Sequence, residues 1–159
     1  MSRDVTSRAD AIKQILTTHG TEAVYVASTG YVARAVAAEV SEAHVVFYMQ
    51  GSMGLAPALG LGMSLASQKT VVVINGDGAL LMSLGSTHTL RDHAPAGRLF
   101  HYVLDNGVHE SVGGQPCAPL EAGYPGVTQI LAISRDGKPP RVPVAPLDNS
   151  AEVRAALQS

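Results

Sequence analysis

The chain has a single cysteine, Cys117, no tryptophan, and aromatic residues at only 4% of its 159 positions. One cysteine excludes an internal disulfide framework and fits a reducing, cytoplasmic compartment. Charged residues make up 15% of the chain and the formal net charge is −2, so there is no basic footprint for nucleic acid. No apolar run approaches the roughly 18 residues that a membrane-spanning helix needs. The N-terminal MSRDVTSRAD has no apolar stretch of the signal-peptide type, so neither membrane nor export is expected. Hydrophobic residues at 46% exclude a disordered chain, and the length suits one domain spanning residues 1–159. The low charge suggests that more than one face is covered, including by a partner.

Small residues are plentiful, with 16 glycines, as suits helices lying close to a sheet and backbone lying close to a ligand. Ser7 or Thr6 caps a helix whose apolar face runs through Ala11, Ile12, Ile15 and Leu16 and stops at Gly20. Strands are expected at Ala23–Ser28, His44–Met49, Thr70–Asn75 and Leu99–Asp105, with helices between them at Tyr31–Val40, after Gly54 to about Ala66, and from Ala79 to about His93. The strands are continuous apolar runs, not alternating ones. Strand and helix in turn predict an α/β fold, a doubly wound, mainly parallel sheet covered on both faces. A Gly- and Pro-rich loop from about 106 to 126 follows, of a length that usually carries function. TQILAIS reads as a weaker strand and NSAEVRAALQ as a terminal helix.

Chemistry concentrates at two strand ends. Gly76-Asp77-Gly78 closes the third strand, and Asp105-Asn106-Gly107 closes the fourth. In a parallel sheet both lie on the carboxyl edge, where ligands of open α/β folds bind. Asp77 and Asn106 then offer a carboxylate and an amide oxygen, hard ligands suited to Mg²⁺, which completes its shell with phosphate oxygens and water. Gly78 and Ala79 open the next helix, whose free N–H groups favour a phosphate. A tight turn with a capping Asp is the plain alternative for GDG alone; the matching Asp-Asn-Gly weighs against it.

With these motifs the chain resembles the diphosphate-binding domain of thiamine-diphosphate enzymes, whose signature is GDG followed some thirty residues later by Asn. Gly51-Ser52-Met53-Gly54 looks like the segment that holds the aminopyrimidine ring. The resemblance implies that Met53 props the cofactor into a V shape, that the Gly51 carbonyl accepts from the 4′-amino group, and that the Met53 N–H reaches a pyrimidine nitrogen. It also implies Asp77, Asn106 and the Val108 carbonyl as Mg²⁺ ligands, and Gly76, Gly78 and Ala79 beside the diphosphate. Ser28-Thr29-Gly30, the Gly51–Ala56 segment, and Asn106 to Gln115 are similar to sulfopyruvate and phosphonopyruvate decarboxylases. These decarboxylases have an activating glutamate on a separate pyrimidine-binding domain, for which this chain has no counterpart. The implied protein is therefore the β-type subunit of a hetero-oligomer that converts 3-sulfopyruvate to sulfoacetaldehyde and CO₂. An α-type subunit would supply the glutamate. A split phosphonopyruvate decarboxylase and a non-catalytic nucleotide-binding module stay open as alternatives.

Within this picture His109, just past the metal ligands, is the candidate for substrate contact or proton transfer. Glu110 stands where the group often has Asp and is a second candidate. Ser28 and Thr29, before a helix, suit an anionic substrate tail or plain capping. The five other histidines are scattered, and His88 and His93, with no cysteine pair, do not suit zinc.

Overall fold

A computed structural model describes residues 4–159. Ser7 caps the first helix, α1 (Arg8–His19), by accepting a hydrogen bond from the Asp10 N–H at 3.0 Å, and Gly20 ends it at φ 67°. The next elements are β1 (Val24–Ala27), α2 (Tyr31–Glu39), β2 (Val45–Tyr48) and α3 (Ala56–Ala66). After β3 (Val71–Gly76) come α4 (Asp77–Met82) and α5 (Leu84–His93), then β4 (Leu99–Asp105). A hairpin of two-residue strands, β5 (Val108–His109) and β6 (Gln115–Pro116), encloses a 3₁₀ turn over Glu110–Val112. The chain finishes with β7 (Gln129–Ala132) and α6 (Pro146–Gln158).

Five strands form a parallel sheet in the order β2-β1-β3-β4-β7. Their alternate residues feed two layers, as a parallel sheet buried on both faces requires. Tyr25, Ala27, Val72, Ile74, Tyr102 and Leu104 pack with Ile12, Ile15 and Val36 from α1 and α2. Val24, Val26, Val71 and Val73 pack on the opposite face with Met63 of α3 and Val153 of α6. The α3 contact is close: a Cβ on Gly60 would lie 2.4 Å from Cγ2 of Val73. Glycine there lets the helix settle onto β3. Asn149 of α6 docks that helix on β2, accepting from the Tyr48 N–H at 3.0 Å and donating to the Val46 carbonyl.

The doubly wound parallel architecture agrees with the expectation. The single helix expected from Ala79 to His93 differs: it begins two residues earlier, at Asp77, and is broken at Ser83 (φ −140°, ψ 46°). A broken helix lets Gly54 of the preceding turn come close, since a Cβ on Gly54 would lie 3.1 Å from the Ala79 carbonyl and 3.3 Å from the Ser83 Cβ. Among the described residues no helix is long and apolar enough to cross a membrane.

Candidate active site at the carboxyl edge of the sheet

The β3–β4 register pairs Gly76 with Leu104, so Asp77 and Asp105–Gly107 emerge side by side at the carboxyl edge. Asp77 is buried, and its carboxylate bridges the two strand ends. One oxygen accepts from the Gly78 N–H at 2.8 Å and the other from the Gly107 N–H at 2.8 Å. Burial pushes the Asp77 carboxyl above its ordinary range and the nearby Asp105 adds to that, while the Gly78, Gly107 and Cys117 donors oppose it. Cys117, buried beneath, gives its thiol proton to Asp77 and is itself pushed up to about 11 by burial and by the Asp77 charge. It is a support for Asp77 and no ready nucleophile.

Asn106 is fixed at both ends of its amide. Its Oδ1 accepts from the Val108 N–H at 3.1 Å, and its Nδ2 donates to Glu110 Oε2 at 2.8 Å. The same Glu110 oxygen takes a 2.5 Å ion pair from Arg8, a residue of α1 that is itself 3% exposed. Arg8 also donates to the Gly137 carbonyl at 3.2 Å. These groups line a narrow cleft of about 70 Å³. Its wall includes Ser28, Thr29, Met53, Gly76, Asp77, Gly78, Ala79, Asn106, Val108, His109 and Glu110. Of the residues expected from sequence to act in catalysis or to touch cofactor, metal or substrate, only Gly51 and Ser52 lie outside that wall.

Gly78 is a cradle that a side chain would fill. A Cβ there would meet the His109 ring at 2.5 Å and the Met53 methyl at 3.2 Å. His109 and Met53 therefore close over the first turn of α4. On the far side, a Cβ on Gly30 would lie 2.8 Å from the Ser111 hydroxyl, so the 108–114 segment roofs the cleft from β1 to β3. Ser52 has φ 55°, a left-handed conformation that no other non-glycine among the described residues adopts. Holding it costs on the order of 1–3 kcal/mol, and such strain gathers at ligand-binding turns.

The donors at this edge suit one kind of divalent ion. Among the described residues no cluster of three His, Cys, Asp or Glu side chains exists. A carboxylate-rich or thiolate cage is therefore not available. One buried carboxylate, one amide oxygen and backbone carbonyls are a set of hard oxygens, incomplete without a ligand that brings its own, which fits Mg²⁺ bound with a diphosphate.

Arg8, Tyr31 and Val32 also line the cleft and were not expected there from sequence, and Ser111 entered only as part of the Asn106–Gln115 stretch. Arg8 lies 102 residues from Glu110, and on a helix its charge reads locally as solvated. A start-of-helix basic residue that opposes the N-terminal dipole was the one signal available. Of the remaining histidines, His101 is buried, with Nε2 3.4 Å from Asn75 Nδ2, and burial lowers it to about 4. His19 pairs with the Tyr102 hydroxyl at 2.8 Å.

Residues 12–141 match the family described as thiamine pyrophosphate enzyme, C-terminal TPP binding domain. The chain is 41% identical over 121 residues to a phosphonopyruvate decarboxylase of Streptomyces viridochromogenes, covering 76% of this chain and 30% of that protein. It is 37% identical over 108 residues to a sulfopyruvate decarboxylase subunit beta of Methanocaldococcus jannaschii, covering 68% of this chain and 56% of that subunit. The chain thus spans well under two thirds of either relative. In fold it is similar to a 2-oxoglutarate:ferredoxin oxidoreductase of Magnetococcus marinus, with a TM-score of 0.53, 18% identity, and coverage of 94% of this chain and 56% of that one.

Proposed function

The chain belongs to the thiamine pyrophosphate enzymes through their C-terminal TPP-binding domain, and on that premise we propose that it is the diphosphate-binding, β-type part of a decarboxylase acting on 3-sulfopyruvate. Membership in that family replaces the nucleotide-binding module considered from sequence. The observation that carries the reading is the convergence of Asp77 and the Asn106–Gly107 turn at adjacent strand ends, with Gly107 N–H 2.8 Å from the Asp77 carboxylate.

Asp77, Asn106 and the Val108 carbonyl would hold Mg²⁺, and backbone at Gly76, Gly78 and Ala79 would take the diphosphate. Met53, at the mouth of the cleft, is the apolar prop for the cofactor's bend. Gly51 and Ser52, one step outside the cleft wall, would offer backbone groups to the pyrimidine ring, aimed by the strained Ser52. When bound, thiamine diphosphate supplies the electron sink for the pair left as the substrate's carboxylate departs. Ser28 and Thr29 face the same cleft and would meet the anionic substrate. His109, over Gly78, is the candidate to hold or deliver a proton at the substrate. Glu110, held by both Arg8 and Asn106, orients the metal-side amide.

A partner of α type is part of the proposal. Two side chains that line the cleft, Met53 and Val112, are exposed and apolar, Val112 at 69%, and Leu55, Met82 and Leu84 are exposed apolar residues of the neighbouring turns. The 53–55 turn lies against 82–83, since a Cβ on Gly54 would be 3.2 Å from the Met82 Cβ. Exposed apolar side chains beside a half-built site suit a subunit that completes it and brings the activating glutamate. Relatives named as subunit beta support this assembly. Phosphonopyruvate is the second substrate reading, favoured by the 41% identity to a phosphonopyruvate decarboxylase.

Titration calorimetry of thiamine diphosphate with Mg²⁺, against ATP and NAD, tests the cofactor. Reconstitution with an α-type subunit, followed by CO₂ release from 3-sulfopyruvate and from 3-phosphonopyruvate, tests the rest. Turnover by this chain alone overturns the split site.

A further inference from the structure

A second cavity, of about 330 Å³, lies beside the candidate active site, bordered by Thr29, Gly30, Arg34, Gln50 and Arg141. Thr29 lines both cavities, so the two spaces are neighbours across one residue. The second wall contains two guanidinium groups, a hydroxyl and an amide, and no carboxylate. Among the described residues neither Arg34 nor Arg141 forms an ion pair.

Arg34 is the telling group. Its Nη1 is buried and has no hydrogen-bond partner. Its guanidinium lies 5.9 Å from the centre of the Tyr31 ring, which holds it through the cation–π attraction. Arg8, 5.7 Å from the same ring, is the contrasting case, since Glu110 and Gly137 satisfy it. The Arg34 guanidinium borders the cavity and forms no hydrogen bond or ion pair among the described residues, so a ligand that brings acceptors to its edge satisfies donors that the protein leaves unpaired.

We propose that Arg34 and Arg141 form an oxyanion site, distinct from the Asp77 cleft, that takes a tetrahedral sulfonate, phosphonate or phosphate group. Guanidinium forks match such oxygens in paired hydrogen bonds. Three oxygens on one centre can face both arginines, Thr29 and Gln50 together, whereas a flat carboxylate presents two. The group comes either from the tail of the decarboxylase substrate or from free phosphate. Only the first of these sources rests on the decarboxylase reading.

The test is calorimetry of methylphosphonate, inorganic phosphate and acetate with the full chain, its Arg34→Gln, Arg34→Lys and Arg141→Gln variants, and Asp77→Ala. The expected result is binding of methylphosphonate and phosphate that falls at least tenfold in Arg34→Gln and Arg141→Gln and persists in Asp77→Ala. Arg34→Lys should keep part of it. Arg141 stands outside helices and strands, so Arg141→Gln remains informative if Arg34→Gln fails to fold. Displacement by 3-phosphonopyruvate more tightly than by methylphosphonate assigns the site to the substrate tail. Equal or weaker displacement assigns it to free phosphate. The proposal is overturned if the wild-type chain binds neither anion, if binding survives both arginine-to-glutamine variants, or if acetate binds as well. In that last case the occupant is a carboxylate, such as an acidic side chain of the partner. Anion binding that persists while the reconstituted protein releases no CO₂ would fault the decarboxylase reading and leave this site standing.

Discussion

The guanidinium of Arg8 and the carboxylate of Glu110 meet at 2.5 Å, joining the first helix to the turn that follows the metal-side asparagine. Side-chain exposures of 4% and 16% make this a largely buried pair, and Asn106 shares the same carboxylate oxygen. Removing one member of such a pair leaves an uncompensated buried charge. Arg8→Ala should therefore destabilise the fold by about 3 kcal/mol. Arg8→Met combined with Glu110→Gln should recover much of the loss. Denaturant unfolding of the wild type, Arg8→Met, Glu110→Gln and the double variant, a double-mutant cycle, measures the coupling, and additive losses would show that the two side chains do not act together.

Gly78→Ala tests the cradle. Its Cβ would land 2.5–2.6 Å from two atoms of the His109 ring, so that ring must move. The expected outcome is a folded protein, by circular dichroism, with thiamine diphosphate affinity reduced tenfold or more. Adding His109→Ala should restore part of the lost affinity, and no change in affinity for Gly78→Ala would show that this backbone does not face the cofactor.

Acid sensitivity should trace in part to His101. Burial lowers its pKa from the ordinary 6.5 to about 4, so between these values the unfolded chain binds a proton that the folded chain refuses. The stability from keeping His101 neutral is present above about pH 6.5 and is lost as pH falls toward 4. From this group alone the loss between pH 7 and pH 5 is roughly 2 kcal/mol. Unfolding midpoints at the two pH values measure it. His101→Gln should flatten the slope, and an unchanged slope would remove His101 as its source.

Much of this architecture is legible in local sequence because local physics decides it. Ser7 and Gly20 mark the ends of α1 by capping and by a positive φ, and the apolar run through Val71–Ile74 can only be a strand covered on both faces. Asp77 and Asn106 are legible for the same reason, since each ends a strand and parallel pairing sets the strand ends level. What escaped depends on distant partners. The Arg8–Glu110 pair spans 102 residues, and the orphaned Nη1 of Arg34 is known only once α2 is packed. The two-residue strands β5 and β6 are too short to show any periodicity, so the 106–126 segment reads simply as a loop. The break at Ser83 goes with the close approach of Gly54, a contact between segments distant in sequence.

A divalent ion held jointly by Asp77 and Asn106 is central to the proposed chemistry. Electron paramagnetic resonance with Mn²⁺ in place of Mg²⁺ reads that ion directly, in the chain together with its α-type partner and thiamine diphosphate. The expected result is a bound-Mn²⁺ spectrum that requires thiamine diphosphate and disappears in both Asp77→Ala and Asn106→Ala. An undiminished spectrum in Asp77→Ala would contradict joint binding by these two residues.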